Sequence, residues 1–436
     1  MNDRPHNADP KGLGLIFRAL YHRNYRLFFG GQGISLIGTW MQQIAMSWLV
    51  YRMTGSAFLL GVVGFVGQIS SFLLGPFTGV LTDRWNRHHI LLMTQALSMV
   101  QALLLAFLDL TGLITVHHIM LLSAFLGMIN SFDMPARQAF VIDMLEKKED
   151  LGNAIALNSF LFNGARLVGP SVGGILISIL GEGLCFLLNG ISFFAVIMAL
   201  LAMKIKPGEK EIRYSHVMKG LEEGFRYGLG FAPIRLILFF VGWVSLVGTA
   251  YTTLMPIFAK NILRGGPSTL GFLMAASGVG ALVGALYLAW RQSVLGLGRW
   301  IAIAATIFGM GLIAFSLSHA LLLSLSLLVF VGFGWMIQMA SSNTVLQTMV
   351  DDDKRGRVMS LYMMAFMGMA PFGSLLGGSL ASKIGTPETL IIGGLSCILG
   401  SFLFIRKLPL LREMARPIYI RKGILPKEPG MRLPES

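Results

Sequence analysis

Three charged side chains interrupt two long apolar stretches of the sequence. Asp133 and Arg137 lie four residues apart in one stretch, and Arg166 lies in the next. On a helix, residues at i and i+4 share a face, so Asp133 and Arg137 project from the same side. A carboxylate beside a guanidinium can exchange a proton, or it can form an ion pair that only locks helices together. The residue types leave both roles open.

The apolar stretches around these charges are long enough to span a lipid bilayer. Of 436 residues, 54% are hydrophobic and only 13% are charged, whereas a soluble domain carries about 25% charged residues. Apolar segments of roughly 20 residues, the length of a transmembrane helix, recur along the chain. We predict an all-α integral membrane protein. Both cysteines, Cys185 and Cys397, lie inside apolar runs, which favours helix packing over a disulfide.

The apolar runs predict twelve transmembrane helices, and the basic residues predict their orientation. With both termini inside, the outer loops hold Arg52, Lys260, Arg264 and Lys383, and nearly all the other Lys and Arg residues fall on the cytoplasmic side, as the positive-inside rule requires. The net charge of +14 then reflects topology and attraction to lipid head groups rather than nucleic-acid binding. The predicted spans are residues 25–51, 57–81, 90–110, 117–139, 153–180, 184–203, 233–258, 268–290, 299–318, 320–349, 357–382 and 388–405.

A polar break over residues 204–232 divides the chain into two halves of six spans. We expect six-helix bundles over residues 1–203 and 233–406, with a loosely ordered cytoplasmic tail over 407–436. Within the break, apolar residues recur at helical spacing with charged residues between them. That pattern predicts an amphipathic linker helix on the inner face of the membrane.

The two halves resemble each other, which predicts pseudo-symmetric bundles. Residues 151–181 align with 355–385, and residues 56–61 align with 266–271. Such repeats are common in secondary transporters, where the substrate site lies between the halves near the bilayer midplane. The alignment pairs Gly152 with Gly356, Gly173–Gly174 with Gly377–Gly378, Gly181 with Gly385, and Gly61 with Gly271.

The loop "GVLTDRWNRHHILL" joins the second and third spans on the predicted cytoplasmic side. Its Gly79, Leu81, Asp83, Arg84 and Arg87 resemble the signature loop of the major facilitator superfamily. A solvated loop in a positive-inside protein would explain the arginines, but not the spacing of Gly, Leu and Asp.

The resemblance implies that this loop is part of a latch between the halves. Asp83 would hold the start of span 11 near Gly356, where helix N–H groups carry partial positive charge. Arg84 and Arg87 would balance that carboxylate and reach lipid phosphates. Asn86 stands where the superfamily usually has Gly, and Asn tolerates a left-handed backbone better than most residues.

The fifth span carries the run "LVGPSVGG". It resembles a motif of proton-coupled antiporters in the superfamily, with Gly169, Pro170, Gly173 and Gly174 at the matching positions. Glycines four apart allow close helix approach. Pro170 cannot donate to the carbonyl of Arg166, so the helix can bend there. The resemblance implies a hinge, and ordinary small-residue packing is the alternative.

Residues 24–61 and 131–145 narrow the resemblance further. They are similar to a bacterial branch of the superfamily, the transmembrane secretion effectors, which includes enterobactin and macrolide exporters. The resemblance covers residues 17–408. It implies a location in the bacterial inner membrane.

The superfamily plan implies a cavity lined by spans 1, 4, 7 and 10, with further contacts from spans 5 and 11. Flexible thioethers suit varied apolar ligands, although any one methionine can equally face lipid or another helix. The candidate substrate-binding residues are Gln42, Gln43, Asn163, Trp243, Tyr251, Gln338, Met363 and Met367.

The predicted proton-coupling residues are Asp133, Arg137 and Arg166. Arg166 lies about 20 Å along its helix, given a rise of about 1.5 Å per residue, which places it near mid-bilayer. We expect its long side chain to reach Asp133 and form a pair. The equivalent stretch of the second half, residues 339–347, has no charge, so the proton site would belong to one bundle.

These features predict an exporter of amphipathic small molecules that uses proton antiport and needs no cofactor or metal. An importer, a lysolipid flippase or a non-transporting sensor of the same fold remain alternatives. An enzyme is disfavoured because the sequence has no HExxH motif and no nucleophile elbow, and ATP-driven pumping is disfavoured because it has no GxxxxGK[ST] loop.

Overall fold

The computed structural model describes residues 17–204, 226–291, 293–351 and 354–426. The side chains of Pro76, Gly79, Val80, Asp83 and Arg84, and the predicted amphipathic helix of the linker, lie outside that description. Throughout these ranges the regular structure is helical, without strands. The main helices are α1 (Arg23–Thr54), α2 (Ala57–Arg84), α3 (Arg87–Leu110), α4 (Val116–Phe140), α5 (Leu151–Leu180), α6 (Glu182–Leu201), α7 (Ala232–Ile257), α8 (Pro267–Trp290), α9 (Leu297–Ser316), α10 (Leu321–Met349), α11 (Arg355–Met367), α12 (Ala370–Ile384) and α13 (Thr386–Arg421).

The helices match the twelve predicted spans. In the described chain, eleven segments are long and apolar enough to cross a membrane, with α11 and α12 together forming one of them. The remaining span is α1, which is 32 residues long but carries several glutamines. Most of its length is enclosed by protein, so it needs less apolar surface than a helix facing lipid.

Side-chain caps set where several helices begin. The hydroxyl of Ser56 accepts a hydrogen bond from the backbone N–H of Leu59 at the start of α2. Asn86 does the same for His88 at the start of α3. Its backbone is extended, with φ −72°, so Asn86 acts as an N-cap. The left-handed turn that we expected there does not form.

Span 11 is broken where one continuous helix was predicted. The helical path is interrupted between α11 and α12, at Gly368 and Met369. Pro371 has no N–H to donate to the carbonyl of Met367, and its ring crowds that carbonyl. Its counterpart in the first half, Pro170, lies within a continuous α5.

The predicted loose tail after Arg406 is instead a continuation of α13 as far as Arg421. Leu408, Leu411 and Ala415 recur at helical spacing and are buried, so this part of the helix packs on the bundle. Beyond the apolar contacts, the guanidinium of Arg421 lies 2.5 Å from the carboxylate of Asp351. Packing and this ion pair explain the order that a basic, proline-containing sequence did not suggest.

The same packing scheme occurs in both halves. In the first half, α1 packs on α5 and α6, α2 on α4, and α3 on α6; the equivalent contacts in the second half are α7 on α12 and α13, α8 on α10, and α9 on α13. The halves meet mainly through two pairs of helices, α2 with α12 and α5 with α8, with smaller contacts of α1 and α2 on α7 and of α1 on α8. The chain therefore has the pseudo-symmetric architecture that its internal repeat predicted.

Glycines make both contacts between the halves at one end of the bundle. A Cβ on Gly61 would lie 3.0 Å from the Cα of Gly378, and a Cβ on Gly174 would lie 3.0 Å from the Cα of Gly271. The amide of Asn261 also donates to the Tyr51 hydroxyl at 2.7 Å. We call this end, which carries the α1–α2 and α7–α8 connections, the closed face.

The halves separate toward the opposite end. At Gly75, Gly164 and Gly356, no described neighbouring atom lies within 4 Å of the position that a Cβ would occupy. We call this end, which carries the α2–α3 and α4–α5 connections, the open face. The space between the halves is therefore accessible from the open face and sealed at the closed face.

Candidate substrate and coupling site

Arg166 lies halfway along α5, just below the glycine contacts of the closed face. Its guanidinium carbon is 5.9 Å from the ring centroid of Trp40 on α1, which is a cation–π distance. Phe162, one turn earlier on α5, meets the same indole ring edge-on at 5.9 Å. Gly169 allows this close approach, because a Cβ there would lie 2.5 Å from the Cβ of Trp40.

The second half meets Arg166 through α7 and α8. A Cβ on Gly278 of α8 would lie 3.6 Å from the backbone oxygen of Arg166. Ser277, the neighbour of Gly278, is linked to α7, because its hydroxyl lies 2.8 Å from the phenol oxygen of Tyr251. Arg166 thus lies where α1, α5, α7 and α8 converge. Among the described residues it has no ion-pair partner.

Asp133 forms a separate site, between α3 and α4. Its carboxylate accepts hydrogen bonds from the Thr94 hydroxyl and the Gln95 amide, both at 2.8 Å, and forms an ion pair with Arg137 one turn along the helix. The side chain of Asp133 is 3% exposed and that of Arg137 is 26% exposed. Three donors, one of them cationic, stabilise the negative charge of this buried carboxylate.

The predicted pair between Asp133 and Arg166 does not form. Asp133 points toward α3, whereas Arg166 points toward α1 and the space between the halves. Sequence spacing placed Asp133 nearer the inner leaflet than Arg166, with the arginine side chain long enough to bridge the gap, but it could not give the rotation of α4 relative to α5. The two charges therefore belong to different sites.

An aromatic chain crosses the second half. Ring centroids lie 5.9 Å apart from Tyr251 to Phe308, 5.5 Å from Phe308 to Trp335, 6.1 Å from Trp335 to Phe366, and 6.2 Å from Phe366 to Tyr362. The five residues come from α7, α9, α10 and α11. Sequence reasoning identified only Tyr251, because the others are spread over three further helices without a shared motif.

The structure contradicts the predicted substrate-binding role of Gln42, which is buried, whereas its neighbour Gln43 is exposed. The Gln42 amide donates to Gln101 on α3 at 3.0 Å and accepts from Asn189 on α6 at 2.8 Å, so it is buried within the first half. Gln43, like Thr39 one turn before it, is exposed. Of the two predicted glutamines, only Gln43 is available to a ligand in this conformation.

The remaining predicted substrate residues also divide into buried and accessible groups. Trp243 is 48% exposed but lies beside Gly400 of α13, on the outer side of α7 rather than toward the other half. Gln338 is fully buried, and neither polar atom of its amide has a partner among the described residues. Asn163 donates to the backbone of Ser159 at 2.8 Å, and Met363 and Met367 are both 42% exposed.

The glycines of the predicted hinge each contact another helix. Gly169 and Gly173 face α1, at Trp40 and Met41, while Gly174 faces α8. Pro170 lies between them and is buried. These positions therefore join α5 to a helix of its own half and to a helix of the other half.

Only part of the predicted latch is described. Gly79, Asp83 and Arg84 fall outside the described side chains. Arg87 lies 3.2 Å from the Asp143 carboxylate on the α4–α5 connection, and Gly356 lies at the open face without close contacts from described atoms.

A family model described as "transmembrane secretion effector" matches residues 16–417, which is nearly the whole chain. The chain belongs to that family. The family is one of membrane transporters of the major facilitator type rather than enzymes, and this transmembrane secretion effector is accordingly a multi-pass membrane transporter.

Characterised relatives match this transmembrane secretion effector over most of their length. A staphyloferrin A transporter of Staphylococcus aureus is 25% identical, covering 89% of this chain and 98% of the relative. A multidrug efflux pump, Tap, of Mycolicibacterium fortuitum is 24% identical, covering 88% and 93%. An enterobactin exporter, EntS, of Citrobacter koseri is 24% identical, covering 92% and 96%.

Solved structures of other transporters share the fold. A peptide transporter of the POT family gives a TM-score of 0.71 at 12% identity, covering 90% of this chain and 95% of the other. A bacterial homologue of ferroportin, in an inward-facing state, gives 0.68 at 14% identity, covering 88% and 98%. At these identities the likeness concerns the fold alone.

Proposed function

We propose that this transporter exports amphipathic small molecules from the bacterial cytoplasm by alternating access. The observation that carries the proposal is the space between the halves, sealed at one face and accessible at the other. The open face is the cytoplasmic one, because the positive-inside rule assigns the basic α2–α3 connection to the cytoplasm. The names of the relatives, which include siderophore and drug exporters, support an outward direction.

We further propose that protons drive this export through Asp133. The buried carboxylate is held by Arg137, Thr94 and Gln95. Protonating it would remove the charge that holds Arg137, and the guanidinium, already a quarter exposed, could then turn away. A rearrangement between α3 and α4 would thereby accompany each proton.

The latch belongs to the opposite state of the cycle. No described atom lies within 4 Å of the position that a Cβ on Gly356 would occupy. When the cytoplasmic ends of the halves come together, Asp83 would meet that helix start and hold the outward-open state.

Inverted membrane vesicles test the proposal. Acidifying the lumen should drive the neutral dye N-phenyl-1-naphthylamine inward. One neutral molecule exchanged for one proton gains roughly 2.3 kcal/mol per 100 mV and about 1.4 kcal/mol per pH unit. Asp133→Asn should abolish the response, whereas Asp143→Asn, at an exposed ion pair, should leave it intact. Accumulation that survives a protonophore, or that requires ATP or sodium, would overturn proton coupling.

A further inference from the structure

We infer that Arg166 is the binding site for a negatively charged group on the transported molecule, so that amphipathic anions are the preferred substrates. The negative group would pair with the guanidinium, and the apolar body would lie against Trp40 and Phe162. This inference rests on the proposed transport function and adds a substrate class to it.

The first argument is the absence of a counter-charge. A buried or half-buried cation without a partner is costly within a membrane. Arg137 has Asp133, and Arg52 has Glu182 at 2.7 Å. Among the described residues, Arg166 has only the face of Trp40. No hydrogen bond joins the guanidinium N–H groups to an acceptor among the described residues, so they remain for another ligand.

The second argument is position. Arg166 lies at the inner end of the space that opens between the halves, immediately below the Gly174 contact of the closed face. It is flanked by α1 and α5 of the first half and by α7 and α8 of the second. A ligand entering from the open face would reach this guanidinium at the end of its path.

The third argument is chemical. The guanidinium of arginine is cationic in proteins, which suits Arg166 to bind an anionic ligand rather than to carry the coupled proton. Its planar fork of donors matches carboxylates and other oxyanions bidentately. Trp40 and the exposed edge of Phe162 provide aromatic surface directly beside that fork. Together they fit a molecule with one anionic end and an adjoining apolar part.

A matched pair of dyes tests the inference. The anion 8-anilino-1-naphthalenesulfonate differs from neutral N-phenyl-1-naphthylamine only by its sulfonate. Binding of each dye to the full-length protein in lipid nanodiscs is measured by equilibrium dialysis, with empty nanodiscs subtracted. We expect Arg166→Gln to weaken binding of the sulfonate dye at least about tenfold, the range for losing a charged hydrogen bond, and that of the neutral dye less than about twofold.

Two variants serve as controls. Arg166→Lys keeps the charge but loses the bidentate fork, so its affinity for the sulfonate dye should lie between those of the wild type and Arg166→Gln. Arg406→Gln removes an arginine that also lies over an aromatic ring, at 4.4 Å from Phe402, but on the exposed surface of α13. It should change neither affinity. If Arg166→Gln does not fold, the wild type still provides a test, because 2-naphthoate should displace the sulfonate dye and its methyl ester should not.

Three results would overturn the inference: no saturable binding of the sulfonate dye, equal weakening of both dyes by Arg166→Gln, or displacement by ester and acid alike. Equal weakening would show that Arg166 only packs α5 on α1. The outcome is independent of the vesicle experiment. Arg166-dependent anion binding without proton-driven transport would refute the export proposal alone, and proton-driven transport without it would refute the anion site alone.

Discussion

Asp133 shows how a carboxylate can be accommodated inside an apolar helix bundle. Its partners come from its own helix and from α3, so removing any one of them leaves a buried charge less well compensated. Arg137 is partly exposed and Asp133 is not, so water can stabilise the charge of Arg137 but not that of Asp133 when the pair is broken. Their substitutions should have different energetic costs.

We predict that Arg137→Gln costs about 3 kcal/mol of stability, because it leaves the buried Asp133 carboxylate without its cation. Asp133→Asn should cost less, about 1–2 kcal/mol, since the Arg137 side chain can turn to the open cavity. Arg87→Gln, at the exposed pair with Asp143, should cost at most about 1 kcal/mol. Thermal unfolding of Arg137→Gln, Asp133→Asn and the variant that combines them gives the coupling energy between Asp133 and Arg137. Strict additivity of the two losses in stability would show that the pair does not exist.

Gln42 and Gln43 offer a second test at the scale of single residues. Gln42→Ala would leave Gln101 and Asn189 with buried groups unpaired, which should cost about 1–3 kcal/mol. Gln43→Ala should change stability by less than about 0.5 kcal/mol and alter only dye transport. Unfolding measurements on both variants check this. Equal destabilisation would mean that the register of α1 is wrong.

The sequence could not distinguish these two glutamines. Neighbouring residues on a helix point about 100° apart, and α1 is in contact with protein around most of its circumference. Its apolar pattern therefore does not mark the side that faces the cavity. The same limitation produced the predicted pair between Asp133 and Arg166, because the sequence did not show which way each side chain points.

Among the helices, sequence patterns were more informative. The alignment of the two halves paired Gly174 with Gly378 and Gly61 with Gly271, and these four glycines form the two contacts of the closed face. Gly181 and Gly385, also paired, both end their helices with positive φ. Backbone requirements of this kind are local, so they can be recognised in the sequence as a glycine at a single position. The order of α13 beyond Arg406 depends on tertiary packing, which no single residue in the sequence indicates.

We predict that Gly174→Ala opens the closed face. The added methyl group would lie 2.6 Å from the Pro267 carbonyl oxygen, and overpacking of this kind costs about 1–3 kcal/mol. Gly164→Ala, on the same helix but in open space, should be neutral or stabilise by up to about 1 kcal/mol.

The readout is the labelling rate of a cysteine placed at Ser268, beside the contact. Both native cysteines are buried, so the label reports the new thiol. Labelling should accelerate in Gly174→Ala and not in Gly164→Ala. Equal rates would show that glycine contacts do not hold the closed face together.

At the scale of the whole molecule, the two faces should open and close in opposition. Spin labels at Thr111 and His319 would report the closed face, and labels at Lys147 and Ser293 the open face; all four positions are exposed. Asp133→Asn, which mimics the protonated carboxylate, should shift the populations at both pairs with opposite sign. Changes of the same sign would indicate swelling of the molecule rather than rocking of the halves.

The seal of the closed face has a consequence for ionic strength. In the described chain, its contacts include glycine backbones, hydrogen bonds from Asn261 to Tyr51 and from Gln68 to Ser374, and Lys260 over the Tyr51 ring, and no ion pair joins the halves there. Salt shortens the Debye length from about 10 Å at 0.1 M to about 3 Å at 1 M and weakens charge pairs, but it leaves close packing almost unchanged. In the proposed orientation this gate faces the outside of the cell, and it should stay shut in dilute and in saline media.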